Sequence, residues 1–340
     1  MLAYAGGSRV KRPGGKAMKL PRRAFLSACA VLACGSRLAS AQAYPARSVR
    51  VVVPFAPGGP TDICARLIVQ KLSEQLGKQF YIENVGGASG SIGTVQVAKA
   101  PPDGYTILFN VNSFVINPIF FEKVAYDPFK DFEFITLAAR NDVVFSVHPS
   151  VPAKTVAEFV TYARANGNRF TFSSGGAGSV THLVGAQFGQ SVGLEVVHVP
   201  YPGAGPAVAA ALANHVPAVF SSMPTVVPHI TQGTLRALAV TGKARSPSLP
   251  DVPTMAEAGF AETKGDQWVG VFAPAKTPKE AIVVLNHEIA KALAYPDVKE
   301  RFATVGFIPV GNSPEEFAAL LKSDSENWSN VIRAGNLKPD

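Results

Sequence analysis

The sequence predicts an α/β protein built from two lobes. Three observations carry that expectation. β-Branched runs such as "VRVVV" alternate with amphipathic stretches, as strands covered by helices do. The unit strand, glycine loop, helix occurs in both halves, at "VRVVVPFAPGGPTDICARLI", "RFTFSSGGAGSVTHL" and "EVVHVPYPGAGPAV". The length of 340 residues, 47% of them apolar, suits about two domains with a sizeable core.

The elements follow in order. Residues 61–76 read as a helix, with Ile68, Leu72 and Leu76 spaced by four and Gly77 as the stop. "QFYIENV" is the next strand, "GGASGSIGTVQVAKA" a glycine loop running into a helix, and "YTILFN" a third strand. "YDPFKDFEFITLAAR" leads into "DVVFSVHP". A second set opens with the helix "TVAEFVTYARANG", whose Val156, Phe159, Val160 and Ala163 share a face. "VPAVFSSMP", "LRALAVTG" and "WVGVFAP" are strands. Helices start at "TPKE" and "SPEE", each offering an N-cap, a proline at the first position and a glutamate in the first turn. Residues 145–238 are expected to form one lobe, and 44–144 with 239–340 the other. The chain then crosses twice, near "FSVHP" and "LAVTG".

The +8 formal charge looks like that of a nucleic-acid binder, but its distribution says otherwise. Residues 1–43 hold eight Lys and Arg and no acid; the remainder has 24 Lys and Arg against 24 Asp and Glu. No concentrated basic surface is written in the body, so no nucleic acid is expected as partner. The leader has the order of a secretory signal peptide: "KLPRR", then the short apolar "AFLSACAVLACG", then "ASAQA" with cleavage after Ala43. Met18 is a credible start, and Arg22-Arg23 hints at twin-arginine export to the periplasm. Lipidation at Cys34 is the alternative. Cys64 is the one cysteine of the body and reads as a small buried side chain.

Enzyme motifs fail one by one. No glycine stands five residues before a Gly-Lys pair, so Walker A is absent. "GAGSVT" and "GAGPAV" lack the third glycine of the dinucleotide fingerprint, and "GASGS" ends in Ser91 where the nucleophile elbow needs glycine. His148, His182, His198, His215, His229 and His287 are scattered, without zinc spacing. No catalytic residue, metal or cofactor is expected, although a triad assembled across distance stays open.

Binding remains. In "PFAPGGPTD", Pro54, Pro57 and Pro60 stiffen a loop whose Gly58 and Gly59 let backbone approach a guest. N–H groups at the following helix start suit one carboxylate. Thr61 or Asp62 caps that helix, and Asp62 is more readily a cap than a ligand contact. Phe55 is core or a platform for the guest. "FSSGGAGSVTHL" is a second cradle, with hydroxyls on Ser173, Ser174, Ser179 and Thr181 and close backbone at Gly175, Gly176 and Gly178. His182 is either a satisfied helix histidine or a ligand donor. "VPYPGAGPA" puts Tyr201 and Gly203 at a third helix start, where the glycines could serve only the turn. "FNVNSFVINP" offers Asn110, Asn112 and Ser113 after the third strand. Trp268 is core, or lines the cleft. Opposed donor loops on two lobes suit a small anion buried by hinge closure. With export, this reads as an extracytoplasmic solute receptor. The rivals are an exported α/β enzyme using the loops as an oxyanion site, and a solute sensor for a signalling partner.

Long stretches also resemble a known family. The run from "YPARSVRVVVPFAPGGPTD" to "APPDGYTIL", then "SSGGAGSVTHL", "VPYPGAGPAV", "LRALAVTGKARSPSLPDVPTMAEAG", "WVGVFAPAKTP" and "GNSPEEFA", is similar to the Bug family of tripartite tricarboxylate transporter receptors. The resemblance implies a monomeric, periplasmic Venus flytrap of type II-like fold, each lobe a sheet flanked by helices. It implies contacts from Phe55–Thr61 and Ser173–His182 to a small organic acid, and a membrane permease as partner. Where family members often have "VDLMFD", this chain has "VPAVFSS", with Pro217 and Ser221 replacing two acids. Loss of an acid from the cleft favours a carboxylate without an amine, and puts Ser221 among the candidate contacts.

Overall fold

The computed structural model describes residues 44–339, together with Gly14. The signal-peptide reading, with Met18, the arginine pair and Cys34, lies outside the described residues.

Strand β1 (Val49–Val53) is apolar almost throughout because both its faces are covered. Helix α1 (Pro60–Leu76) follows. Pro60 begins it, where a missing N–H costs nothing, and Gly77 ends it at φ 61°, a left-handed conformation that a side chain resists. Cys64, Ile68 and Leu72 share a core with Val51, Phe109 and Val271 of the sheet beneath. Strands β2 (Phe80–Asn84) and β3 (Thr106–Val111) flank β1 in parallel, and helix α2 (Ser91–Ala98) runs between them.

Helix α3 (Ser113–Phe120) occupies the stretch after β3 that reads from sequence as a loop. Pro118 disguises it, since proline cannot donate to the carbonyl one turn back. The Tyr126 hydroxyl donates to that Phe114 carbonyl instead, at 3.0 Å.

Strand β4 (Phe132–Val147) is 16 residues long and serves two sheets. As far as Asp142 it pairs with β9 (Asp266–Pro274). From Val143 it pairs with β7 (Ala218–Ser222), and from Val144 also with β8 (Arg236–Val240). Strands β5 (Arg169–Ser174) and β6 (Glu195–Pro200) complete the second sheet, and β10 (Ile308–Pro309) adds to β4 in the first. The first sheet runs β2-β1-β3-β9-β4 and the second β6-β5-β7-β4-β8. Both orders are the same: three parallel strands, one antiparallel, then a last one parallel to the first three. Strand β4 is the fifth member of one sheet, with β10 beyond it, and the antiparallel member of the other.

Helices α4 (Val156–Ala165), α5 (Val180–Val192), α6 (Ala204–Leu212) and α7 (Met223–Thr231) pack on the second sheet. Its core is aromatic, with Phe145 and Phe220 stacked at 4.5 Å. Helices α8 (Lys279–Ala294) and α9 (Pro296–Val305) pack on the first. Neither α7 nor α9 is legible in the sequence. Pro224 and Pro228 break up the first of these, and the second follows α8 without a loop. "TPKE" also differs from expectation. Thr277 Oγ1 donates to the Pro274 carbonyl at 2.7 Å, and α8 begins at Lys279 without a side-chain cap. "SPEE" does form a capping box between Ser313 and Glu316 at the start of α10 (Pro314–Ala334).

Helix α10 ties the two halves. Phe317 and Leu321 join the core of Trp268 and Phe272, whereas Trp328 and Ile332 join that of Phe145 and Phe188. Between them, Asp324 accepts from Trp268 Nε1 at 2.8 Å and Asn112 Nδ2 at 3.1 Å. Burial lifts its carboxyl pKa in spite of those bonds.

Asp142 marks the residue at which β4 changes sheets. Burial and the Asp266 carboxylate opposite lift its pKa to about 6. The unfolded chain releases the same proton near 4, roughly, so the folded state holds it more tightly in between. Stability from this group is therefore present at low pH and is lost as pH rises from about 4 to about 6. Asp142→Asn is expected to raise the melting midpoint at neutral pH. In paired scans at about pH 3.5, below both pKa values, the difference from wild type should vanish.

Candidate functional site

Asp62 governs the first loop. Its carboxylate accepts from the Gly58 amide at 3.1 Å, from Asn84 Nδ2 at 3.0 Å and from Arg66 Nε and Nη2 at 2.9 and 2.8 Å. Burial works to raise its pKa, but the Arg66, Gly58 and Asn84 bonds prevail and hold it below the usual carboxylate range. Asn84 also donates to the Phe55 carbonyl at 3.1 Å. The N-cap of α1 is Gly59, so Asp62 stays inside the first turn and fixes the loop from there. Phe55 is 8% exposed and does both things the sequence allows: it closes the core over Val53 and faces the cleft.

The second loop runs from Ser174 to Ser179. Ser179 caps α5, accepting from the His182 amide at 3.2 Å while its hydroxyl donates to the Gly176 carbonyl at 2.6 Å. Thr181 Oγ1 accepts from the Gly175 amide at 3.2 Å. Gly178 sits at φ 73° with its amide donating to His182 Nδ1 at 3.1 Å, and the His182 ring stacks on His198 at 3.9 Å. Ser174 Oγ lies 2.6 Å from His198 Nε2, and Ser173 Oγ donates to the Ala207 carbonyl at 3.0 Å. The Tyr201 amide donates to the Ser174 carbonyl at 3.1 Å, which joins the third loop to the second.

The loops meet across the cleft. The Ala56 amide donates to the Pro202 carbonyl at 3.2 Å, and Ser89 Oγ to the Ala177 carbonyl at 2.6 Å. Gly205 runs so close that a Cβ on it would stand 2.7 Å from the Pro57 carbonyl oxygen. Between the loops lies a cavity of about 30 Å³, lined by Phe55, Gly59, Pro60, Thr61, Val111, Gly175, Ser179, Thr181, Ala204, Ser222 and Gln267. That is room for about two waters, so a larger guest requires the loops to part.

Of the residues expected from sequence, Phe55, Gly59, Pro60, Thr61, Gly175, Ser179 and Thr181 line this cavity. Pro57, Gly58 and Asp62 shape the first loop, and Ser173, Ser174, Gly178, His182 and Tyr201 brace the second and third from behind. Ser113 begins α3, and its hydroxyl donates to Asn110 Oδ1 at 3.4 Å. Asn110 and Asn112 are likewise bound locally, to Thr94 and Asp324. Ser221 is on the opposite face of β7 from its neighbour Ser222, which lines the cavity and donates to Gln267 Oε1. Trp268 is core. Cys64 is fully buried, which pushes its thiol pKa far up and keeps it protonated. Ser222 and Gln267 escape sequence reasoning, although each is polar at the end of an apolar strand.

Two like-ordered sheets sharing one strand, with glycine loops opposed across a cleft, define a two-lobed periplasmic binding protein. More narrowly, the chain belongs to the tripartite tricarboxylate transporter receptor family, whose profile matches residues 64–337. It is 34% identical to BugT of Bordetella pertussis over 88% of this chain and 92% of that protein. It is similar to Rpa4515 of R. palustris, solved with adipate, at 34% identity and TM-score 0.85 over 87% of this chain and all of that one. MatC of Rhodopseudomonas palustris, solved with bound malate, shares 32% identity and a TM-score of 0.79 over 85% of this chain and all of that one. Among the described residues no helix is long and apolar enough to cross a membrane.

Two substitutions test the geometry. Asp62→Ala removes the acceptor that holds Gly58, Asn84 and Arg66, and should lower unfolding free energy by about 1–3 kcal/mol in urea titrations. Gly205→Ala should lower the melting point of the unliganded protein, because a Cβ there would stand 2.7 Å from the Pro57 carbonyl oxygen and backbone must shift to admit it.

Proposed function

We propose that this chain is an extracytoplasmic receptor for one small carboxylate-bearing metabolite, which it delivers to a membrane permease of the tripartite tricarboxylate type. The observation that carries the reading is the wall of the cavity. The N-termini of α1, α5 and α6 reach it through Gly59, Ser179 and Ala204, together with the hydroxyls of Thr61, Thr181 and Ser222, and no ionisable side chain lines it. Helix N-termini carry partial positive charge and free N–H groups, which favour an anion without a cationic partner. Adipate and malate in the two solved relatives have this chemistry. The absence of an acid from the wall speaks against a guest bearing an ammonium group.

In this reading residues 44–144 with 239–340 form one jaw and 145–238 the other. The switch of β4 between Asp142 and Val143 supports the first hinge, and the passage from β8 to β9 the second. Phe55–Thr61 and Ser173–His182 are the opposed lips. The leader directs export to the periplasm, and the receptor works as a monomer without turnover. Ser174 and His198 come nearest to a nucleophile and base, but Ser174 is 0% exposed and its hydroxyl also accepts from the Gly176 amide.

A thermal-shift screen of C4 to C6 dicarboxylates tests this. An acid present at about 100 times its dissociation constant adds about 2.7 kcal/mol, a rise of roughly 4 °C in melting point. Aspartate and glutamate should bind more weakly than the amine-free acids. No response to any acid, or hydrolysis of ester substrates, would sink the reading.

A further inference from the structure

Asn141 is an anomaly in β4. It is 2% exposed, and both its amide nitrogen and its amide oxygen lack a partner. Among the described residues the other buried atoms without partners are single: the hydroxyls of Ser146, Ser221, Thr225 and Thr263, and the oxygen of Asn117, whose nitrogen is bound to Ser89 and Ser91. A buried carboxamide with neither end bonded forfeits what water would give it. Along the strand its neighbours on the same face are Ala139 and Val143, both fully buried, so nothing local needs an amide.

The register says where it points. Asn141 is the antiparallel partner of Gln267, and Val143 that of Ser222. Directly opposed residues project to one face with Cβ atoms about 5 Å apart. Gln267 and Ser222 both line the cavity and are bonded to each other. Asn141 therefore stands beside the cavity floor, where β4 leaves one sheet for the other.

We propose that Asn141 reads the far end of the guest and selects a dicarboxylate carrying a hydroxyl on its carbon chain. This rests on the carboxylate-receptor reading above. One carboxylate is held at the helix N-termini; the second extends toward the floor, where Asn141 Nδ2 donates to it. The orphan Oδ1 requires a donor, which a plain dicarboxylate at neutral pH lacks. A hydroxyl supplies it. An ammonium group would also supply it, but the wall offers that charge no acid.

Calorimetry with malate, succinate and butyrate on wild type and Asn141→Leu tests the assignment. Wild type should prefer malate to succinate about tenfold or more. In the leucine variant that preference should collapse, butyrate binding should stay the same, and the unliganded protein should melt no lower than wild type, because an unpaired amide has been replaced by an apolar group of similar size. Should leucine prevent folding, Asn141→Ala gives the same readout. A wild type indifferent to the hydroxyl, or a preference that survives both substitutions, overturns the role of Asn141 and leaves the receptor reading standing. A wild type that binds no acid at all overturns both.

Discussion

One strand serving two sheets is the constraint on which the rest depends. Because β4 ladders with β9 up to Asp142 and with β7 from Val143, the two sheets cannot choose their relative placement freely. Parallel strands of each sheet end at the seam between them. In open α/β sheets the crevice at the carboxyl ends of strands is where ligands sit. Here the cavity wall takes Val111 from the end of β3, Ser222 from the end of β7, and Phe55 and Gly175 from just beyond β1 and β5. No single loop makes the site. The shared strand brings four strand ends to one place, and the loops then need only be short and rigid.

Their rigidity comes from behind. The first loop is held by the Asp62 carboxylate and by Asn84, and the second by a polar group of Ser174, His198, His182 and Thr181 under its glycines. These bonds are made within the protein and use no atom of a guest. A loop ordered in advance does not lose that entropy when the guest arrives, so more of the contact energy appears as affinity. The division of labour also accounts for the charged and aromatic groups that stay out of the cavity. Asp62, Arg66 and the two histidines shape the lips, while backbone and hydroxyls line the cavity.

Most of this architecture can be read from the sequence, because strands bounded by glycine loops and helices with clear stops are local signals. β1, α1, β2, β3, α4, β5, α5, β6 and α6 fall where the pattern puts them. What escapes reading is set by partners outside the element's own pattern. Helix α3 survives Pro118 only because Tyr126 takes over a stranded carbonyl. Thr277 abandons the cap it could form for the Pro274 carbonyl. The candidate site divides along the same line. Phe55, Gly59, Thr61, Gly175, Ser179 and Thr181 sit in loops that announce themselves, whereas Ser222 and Gln267 enter through strand register, which depends on ladders between residues far apart in the chain, Val143 with Ser222 and Asn141 with Gln267.

A cleft without ionised side chains also fits what a receptor must do. Charge-assisted hydrogen bonds are roughly twice as strong as neutral ones, and an arginine clamp on one lobe would keep its grip after the lobes part. In this cleft the polar lining is divided between the lips: Gly59 and Thr61 on one side, Gly175, Ser179 and Thr181 on the other. Each set alone offers a few neutral bonds in the field of one or two helix ends, and only closure adds them together while excluding water. On the proposed reading, opening would separate the two sets and readmit solvent, so retention and release would follow from the same motion. The close passage of Gly205 by the Pro57 carbonyl and the Ala56–Pro202 bond give the closed state contacts of its own. They also limit how tightly the lips can shut, and hence how much guest can lie between the helix ends and the floor at Gln267 and Ser222.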